Sequence, residues 1–139
     1  MSGNFFLDTN IFVYSFSYDA AKARRATRLI HEAVGTRKGM VSYQVVQEFF
    51  NVALRRFAKP MSVAEAEQYL AAVFRPLLIV HSSQSIYGAA LRLYGKYRLS
   101  WYDSLIVAAA LEGQCQILYS EDLQHGLEID QLRIENPFL

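Results

Sequence analysis

The sequence predicts a three-layer α/β domain, with a central parallel sheet and helices on both faces, spanning residues 1–139 as a single unit. Short apolar segments of strand length alternate with longer segments whose apolar residues recur at helical spacing, which is typical of this class. A chain of 139 residues without an obvious linker, repeat or low-complexity tract fits one domain with a sizeable core. The hydrophobic fraction of 53% argues against disorder.

The first predicted elements are a strand, a helix and a second strand. Phe5–Leu7 reads as a short buried strand with Asp8 at its carboxyl end. A helix is predicted over residues 20–34, closed by Gly35, because glycine is common just after a helix. Gly39–Ser42 reads as the next strand.

Two further helices are predicted in the middle of the chain. Residues 43–57 form a helix in which the apolar positions recur at helical spacing, namely Val45, Val46, Phe49, Phe50, Ala53 and Phe57. Pro60 separates it from a helix that opens with Ser62 and Glu65, a pair with the spacing of a capping box.

The second half of the chain continues the alternation. The predicted elements are a strand over 77–80, helices over 85–97 and 100–112, a strand over 116–119, a loop over 120–126 and a last strand over 132–134. Residues 103–110 are apolar on every side apart from their first two positions, so this helix is expected to be buried.

Composition limits the classes of function. The net charge of +1 gives no global basic field, so binding of phosphates has to depend on local clusters. No apolar run reaches the roughly 20 residues of a membrane span, and Asp8 interrupts the only stretch resembling a secretory signal. The lone Cys115 has no internal disulfide partner. A cytoplasmic location without membrane attachment is therefore expected.

Two carboxylates are expected at one edge of the sheet. Asp8 and Asp122 follow predicted strands, and open α/β sheets bind ligands at the carboxyl ends of their strands. Each acid also has an ordinary interpretation. Asp8 suits a helix cap, Asp122 a loop, Asp103 the capping of its own helix, and Glu48 the solvated polar face of another helix.

Four segments together are more specific than any single acid. In order and spacing, they resemble the acidic motifs of PIN-domain ribonucleases, and especially the VapC toxins of bacterial toxin–antitoxin pairs. The segments are Phe6-Leu7-Asp8-Thr9-Asn10, Val46-Gln47-Glu48-Phe49, Asp103-Ser104-Leu105-Ile106-Val107-Ala108-Ala109 and Leu118-Tyr119-Ser120-Glu121-Asp122. The resemblance covers essentially the whole chain, although Ser104 stands where alanine is common.

The resemblance implies a set of site residues. The metal-site acids would be Asp8, Glu48, Asp103 and Asp122, and the supporting polar groups would be Thr9, Asn10 and Ser120. Because Glu121 adds a carboxylate beside Asp122, either of the two could lie nearer the metal, and Asp122 is favoured. Clustered carboxylates repel one another, so such a site needs a cation, and oxygen-only ligands suit Mg²⁺ or Mn²⁺ rather than zinc.

The resemblance also implies an activity and partners. The chain would hydrolyse RNA phosphodiesters to a 5′-phosphate and a 3′-hydroxyl, form a homodimer and be inhibited by a cognate antitoxin. The cationic groups that are candidates for RNA binding are Arg24, Arg25 and Arg28, Arg55 with Arg56 and Lys59, and Arg92 with Lys96 and Arg98. Aromatic residues between positions 87 and 102 suit either base stacking or a core or interface.

Two other functions remain open. A phosphatase with Asp8 as nucleophile usually has a second aspartate two positions on, where this chain has Asn10. A PIN-like domain that only binds RNA or a partner typically lacks one or more of the acids. The histidines show no metal-ligand spacing: His31 and His81 suit structural positions, and His125 follows Asp122 in its loop.

Overall fold

The computed structural model describes residues 3–139, which are built around a six-stranded sheet. The strands are β1 (Phe5–Leu7), β2 (Gly39–Ser42), β3 (Leu78–Val80), β4 (Ile117–Tyr119), β5 (Glu128–Ile129) and β6 (Leu132–Glu135). They lie in the order β3-β2-β1-β4-β6-β5. Neighbouring strands are parallel except β5 and β6, which form an antiparallel pair. The predicted parallel sheet is thus confirmed, with an antiparallel strand added at one edge.

Helices pack on both faces of the sheet and complete the three-layer α/β fold. They are α1 (Thr9–Tyr14), α2 (Ala20–Thr36), α3 (Tyr43–Ala53), α4 (Val63–Tyr69), α5 (Arg75–Leu77), α6 (Gln84–Tyr97) and α7 (Trp101–Glu112). A π-helical segment, Leu70–Phe74, joins α4 to α5. In residues 3–139, no helix is both long enough and apolar enough to cross a membrane.

The core contains an aromatic cluster beside the central strands. Phe12, Phe49 and Phe74 are fully buried. The ring centroids of Phe12 and Phe74 are 4.9 Å apart, and those of Phe49 and Phe74 are 5.3 Å apart. These contacts pack α1 and α3 against the helical segment that follows α4. Cys115 is also fully buried, and burial raises the pKa of its thiol to about 12, so it is an unreactive core residue.

The end of α2 corrects one prediction. Gly35 lies inside the helix, which ends at Thr36 and is capped by Arg37, whose φ of 60° is in the left-handed region. The glycine that the packing requires is Gly39, because a Cβ there would lie 2.1 Å from the Cβ of Ala33. Close approach of β2 to α2, rather than a helix stop, therefore explains a glycine in this segment.

Other boundaries were also wrong. The helix predicted over 43–57 ends at Ala53, although Phe57 still packs in the aromatic cluster, 6.1 Å from the ring of Phe49. The strand predicted over 77–80 begins one residue later. Helix α1 and strand β5 were not predicted, because six and two residues are too few for a recognisable period.

The capping signals were more reliable. Ser62 and Glu65 make both hydrogen bonds of the predicted capping box, so α4 begins where the sequence indicates. The capping interpretation of Asp103 has a counterpart in the structure, because the Ser100 Oγ accepts a hydrogen bond from the backbone N–H of Asp103, 3.1 Å away, and caps α7.

Candidate active site at the carboxyl edge of the sheet

Two adjacent parallel strands bring distant acidic segments together. β1 pairs with β4, with Leu7 beside Tyr119, so both strands end at the same edge of the sheet. The backbone N–H of Asp8 extends this pairing by donating to the carbonyl of Tyr119 at 3.0 Å. Asp8 and the segment that starts at Ser120 consequently leave the sheet side by side.

Asp8 is a buried carboxylate that also caps a helix. Its side chain is only 4% exposed. Its Oδ1 accepts a hydrogen bond from the backbone N–H of Thr9 at 2.7 Å, at the start of α1, and its Oδ2 accepts one from the Ser120 hydroxyl at 2.7 Å. The helix-cap interpretation is therefore correct for Asp8, and it does not exclude a functional one.

Burial dominates the ionisation of Asp8. Loss of solvent raises the pKa of its carboxyl from 3.8 to about 7, even though the hydrogen bonds from Ser120 and Thr9 oppose the rise. Repulsion by Asp122 and Glu48 adds to it. Asp8 thus lies in an environment that disfavours a bare negative charge.

Glu48 lies against α1 rather than in open solvent. Its side chain is half-buried, its Oε1 accepts a hydrogen bond from the Thr9 hydroxyl at 2.8 Å, and its Oε2 accepts one from Gln44 Nε2 at 3.3 Å. The solvated glutamate favoured by helical periodicity is therefore wrong. Periodicity within α3 shows which face is polar, but not that α1 packs beside that face.

Asp103 and Asp122 complete the acidic group. Partial burial raises the pKa of Asp103, and repulsion by Asp122 and Glu48 raises it further. Asn10 Nδ2 donates to Asp122 Oδ2 at 3.2 Å, and this contact orients the Asp122 carboxylate. Since both Asp8 and Asp103 interact with Asp122 and Glu48, the four acids share one electrostatic environment.

Among residues 3–139, the acidic group has no cationic partner. Within residues 3–139 the two ion pairs are Lys22–Glu121 and Arg133–Glu135, and neither includes these four acids.

The potential metal ligands in the acidic group are all carboxylate oxygens, which suit a hard divalent cation. As placed, however, no three Asp, Glu, His or Cys side chains in residues 3–139 are close enough together to hold a metal ion. The donor chemistry fits such an ion, and enclosing it requires side-chain movement.

Glu121 is held by other groups. Its Oε2 pairs with Lys22 Nζ at 2.8 Å, and its Oε1 accepts a short hydrogen bond from the Tyr14 hydroxyl. These two hydrogen bonds lower the pKa of Glu121, and the one from Lys22 has the larger effect. Lys22 also lies 4.4 Å from the centroid of the Tyr14 ring. The role of Lys22 was missed, and its distance in sequence from Glu121 leaves no local signal for it.

The candidate cationic groups are mostly on the surface, with one exception. Arg24 and Arg28 are exposed and, with His31, line an open depression on α2. Arg25, also a candidate for RNA binding, is instead half-buried, and its Nε donates to the carbonyl of Pro137 at 3.2 Å. The other candidates for RNA binding are all exposed, namely Arg55, Arg56, Lys59, Arg92, Lys96 and Arg98.

His125 and His81 give no sign of a metal-binding role. His125 Nδ1 accepts a hydrogen bond from the backbone N–H of Asn136 at 3.0 Å, so this nitrogen is already occupied. The ring of His81 lies 6.1 Å from that of Tyr43, near the start of α3.

Comparison with known proteins assigns this architecture to a protein family. A family model described as PIN domain matches residues 5–126. A structure described as a toxin–antitoxin complex from Klebsiella pneumoniae superposes with a TM-score of 0.68 at 20% identity, covering 95% of this chain and 96% of the other. VapC20 from Mycobacterium tuberculosis, a toxin that cleaves the sarcin–ricin loop, superposes with a TM-score of 0.61 at 21% identity, covering 84% and 88%.

A third structure extends the likeness. FitAcB from Neisseria gonorrhoeae superposes with a TM-score of 0.65 at 14% identity, covering 96% of this chain and 98% of the other. No curated protein sequence matches the chain. At these identities the solved structures establish the shared fold.

Proposed function

Because this chain belongs to the PIN domain family, we propose that it is a metal-dependent endoribonuclease of the VapC type, the toxin of a toxin–antitoxin pair. The observation that carries the proposal is the group of four acids at the carboxyl edge of the sheet, which repel one another and have no cationic partner in residues 3–139. The reaction is hydrolysis of an RNA phosphodiester, leaving a 5′-phosphate and a 3′-hydroxyl.

The proposed metal is Mg²⁺ or Mn²⁺, held by Asp8, Glu48, Asp103 and Asp122. When bound, such an ion supplies Lewis-acid stabilisation of the charge that develops on the phosphate. Its positive charge would also relieve the mutual repulsion of the carboxylates and favour loss of the proton that burial retains on Asp8.

The neighbouring polar residues would orient these acids. Ser120 donates to Asp8, Thr9 donates to Glu48, and Asn10 donates to Asp122. Outer hydrogen bonds of this kind keep ligand side chains in a limited set of orientations and thereby support affinity and activity. We assign these three residues to positioning, and Glu121, engaged by Lys22 and Tyr14, to holding the loop that carries Asp122.

RNA would reach the acidic site through surrounding cations. The exposed arginines Arg24 and Arg28 on α2 and Arg92 on α6 support this proposal, because an acidic site alone repels a polyanion. Arg55 is exposed after α3 and is a further candidate, whereas Arg25 has a structural contact with Pro137.

We further propose a cognate antitoxin as partner. A cavity of about 510 Å³ between α1, the segment that follows α3 and the start of α4 is lined by Val13, Phe16, Phe57 and Met61. Phe16 is 45% exposed there, which offers apolar area to an inserted segment. Solved structures that share this fold include toxin–antitoxin complexes, which supports the same partner class.

A homodimer in the cytoplasm is the proposed state of the free toxin. Tyr87, Leu91 and Tyr94 form an exposed apolar stripe along α6, with exposures of 47%, 61% and 52%. A stripe of this kind on a surface helix is typical of an interface between protein chains. Sedimentation of the wild type and of Leu91→Glu tests the assignment, since the charged variant is expected to be monomeric.

A binding-only PIN-like domain is the second candidate. The observation that favours it is that no three potential ligands lie within reach of one ion in residues 3–139. The presence of all four acids favours the enzyme instead.

The decisive experiment is cleavage of end-labelled structured and single-stranded RNAs with Mg²⁺, Mn²⁺ or EDTA. Wild type is compared with Asp8→Asn and with Glu128→Gln, which alters an exposed acid on β5. The proposal requires metal-dependent cleavage that Asp8→Asn abolishes and Glu128→Gln retains. RNA binding without cleavage under every condition would support the binding-only domain.

A further inference from the structure

A second feature lies beside the acidic group. A cavity of about 370 Å³ opens where the first residues of α3, α6 and α7 meet. Its walls include the aromatic side chains of Tyr43, Tyr87, Trp101 and Tyr102. None of the described residues that line it is Asp, Glu, Lys or Arg. An aromatic and uncharged cavity suits a flat, neutral heterocycle and does not suit a phosphate.

The walls also carry hydrogen-bonding groups. Gln47, His81 and Ser82 line the cavity, and together they offer both donors and acceptors. Ser42 lies in the wall as well and is 5% exposed, yet its Oγ has no hydrogen-bond partner in residues 3–139. Buried hydroxyls are normally paired, so an unpaired one beside a cavity indicates that an occupant completes the site.

One residue joins the cavity to the acids. Gln44 lines the cavity, and its Nε2 donates both to Glu48 Oε2 at 3.3 Å and to the backbone carbonyl of Tyr102 at 3.2 Å. Tyr102 lines the cavity and immediately precedes Asp103. The cavity and the acidic group therefore share the N-terminal halves of α3 and α7.

We propose that this cavity binds a nucleobase of the RNA substrate, from a nucleotide adjacent to the phosphodiester bond that is cleaved; this inference rests on the proposed function. The base would stack on the aromatic walls, while Gln47, His81 and Ser82 contact its edge. The backbone of the same nucleotide would lie toward Glu48 and Asp103. The cavity would thus contribute to the choice of cleavage position.

Trp101 provides a direct test, since it is the only tryptophan in the chain and lines the cavity. Its fluorescence is followed in EDTA during titration with AMP, GMP, CMP and UMP up to millimolar concentrations. Ribose 5-phosphate serves as the ligand without a base. We expect saturable quenching by at least one nucleotide and none by ribose 5-phosphate. Gln47→Ala should weaken that binding at least about fivefold, whereas Tyr18→Ala, which removes an exposed tyrosine outside the cavity, should not change it.

The possible outcomes distinguish failure of the base-site proposal from failure of the proposed nuclease function. Absence of saturable quenching while the protein cleaves RNA would overturn the base site and leave the nuclease standing. Quenching by nucleotides in a protein that cleaves no RNA would support the base site and reject the nuclease. A fluorescence change that follows protein concentration and dimer formation, without any response to nucleotides, would assign the cavity to a second copy of the chain and overturn the proposal.

Discussion

Ser120 Oγ lies 2.7 Å from Asp8 Oδ2 and donates a hydrogen bond to it, joining residues that are 112 positions apart. The same hydroxyl accepts hydrogen bonds from the backbone N–H of Asp122 at 3.2 Å and from Asn10 Nδ2 at 3.4 Å. Ser120 therefore connects two of the acids proposed to bind metal with the residue that orients one of them.

Removal of this hydroxyl should destabilise the protein. Ser120→Ala removes the hydroxyl from a buried carboxylate oxygen and from the backbone N–H of Asp122, while Asn10 Nδ2 keeps its contact with Asp122. A cost of about 1–3 kcal/mol is expected in the free energy of unfolding. Urea denaturation at pH 7 measures the loss. Ser85→Ala, at an exposed position in α6, is the matched control and should change stability by less than about 0.5 kcal/mol. Equal effects of the two changes would contradict the role given to Ser120.

Stability without metal should fall as pH rises. The folded protein retains a proton on Asp8 up to a pKa of about 7, whereas the unfolded chain releases it near 3.8. The folded state therefore binds more protons between these values, and the free energy of unfolding decreases across that window and levels off above it. The raised pKa of Asp103 acts in the same direction. Thermal unfolding in EDTA at pH 5 and pH 8 should give a lower Tm at pH 8.

The variant Asp8→Asn tests whether Asp8 causes this pH dependence of stability. Asp8→Asn has no ionisable group at position 8, so its Tm should depend less on pH than that of the wild type. Addition of Mg²⁺ at pH 8 should raise the Tm of the wild type, because a ligand that binds only the folded state stabilises it, and should raise that of Asp8→Asn less. Parallel pH profiles for the two proteins would exclude Asp8 as the source.

The two adjacent acids should have separable roles. Asp122→Asn is expected to reduce both Mg²⁺ affinity and RNA cleavage by about 100-fold, the upper end of what loss of one group around a metal site costs. Glu121→Gln weakens the contact with Lys22 and should affect cleavage less, because Glu121 is already engaged by Lys22 and Tyr14. Isothermal titration with Mg²⁺ and cleavage assays measure the difference. A larger loss of Mg²⁺ affinity in Glu121→Gln would reverse the assignment.

The aromatic cluster should contribute strongly to stability. Phe49 is fully buried and contacts the rings of Phe12, Phe74 and Tyr69, the last in a stacked geometry at 5.0 Å. Phe49→Ala should therefore cost about 3–5 kcal/mol, and Phe49→Leu should cost less, because it leaves a smaller cavity. Chemical denaturation distinguishes the two. A loss below about 1 kcal/mol in Phe49→Ala would show that the cluster packs more loosely.

Sequence patterns predicted the elements whose signals are local. The strands Phe5–Leu7 and Gly39–Ser42 and the cap at Ser62 were predicted at the observed positions, since each depends on neighbouring residues. The order of strands and helices was enough to place Asp8 and Asp122 at one edge of the sheet. Helix α1, strand β5 and the end of α2 were missed, because they depend on packing or on a backbone angle that few residues indicate.

The surroundings of the acids depended on tertiary structure. By itself, the sequence determined the fold class. Through its resemblance to PIN-domain ribonucleases, it also predicted Asp8, Glu48, Asp103 and Asp122 as the candidate metal-site acids. Tertiary structure alone decided that Glu48 is held by Thr9, that Glu121 is held by Lys22 rather than being free, and that an uncharged aromatic cavity adjoins the acids. The physical reason is range. Periodicity and capping act over a few residues, whereas desolvation, repulsion between carboxylates and hydrogen bonds across the sheet edge arise only when distant segments meet.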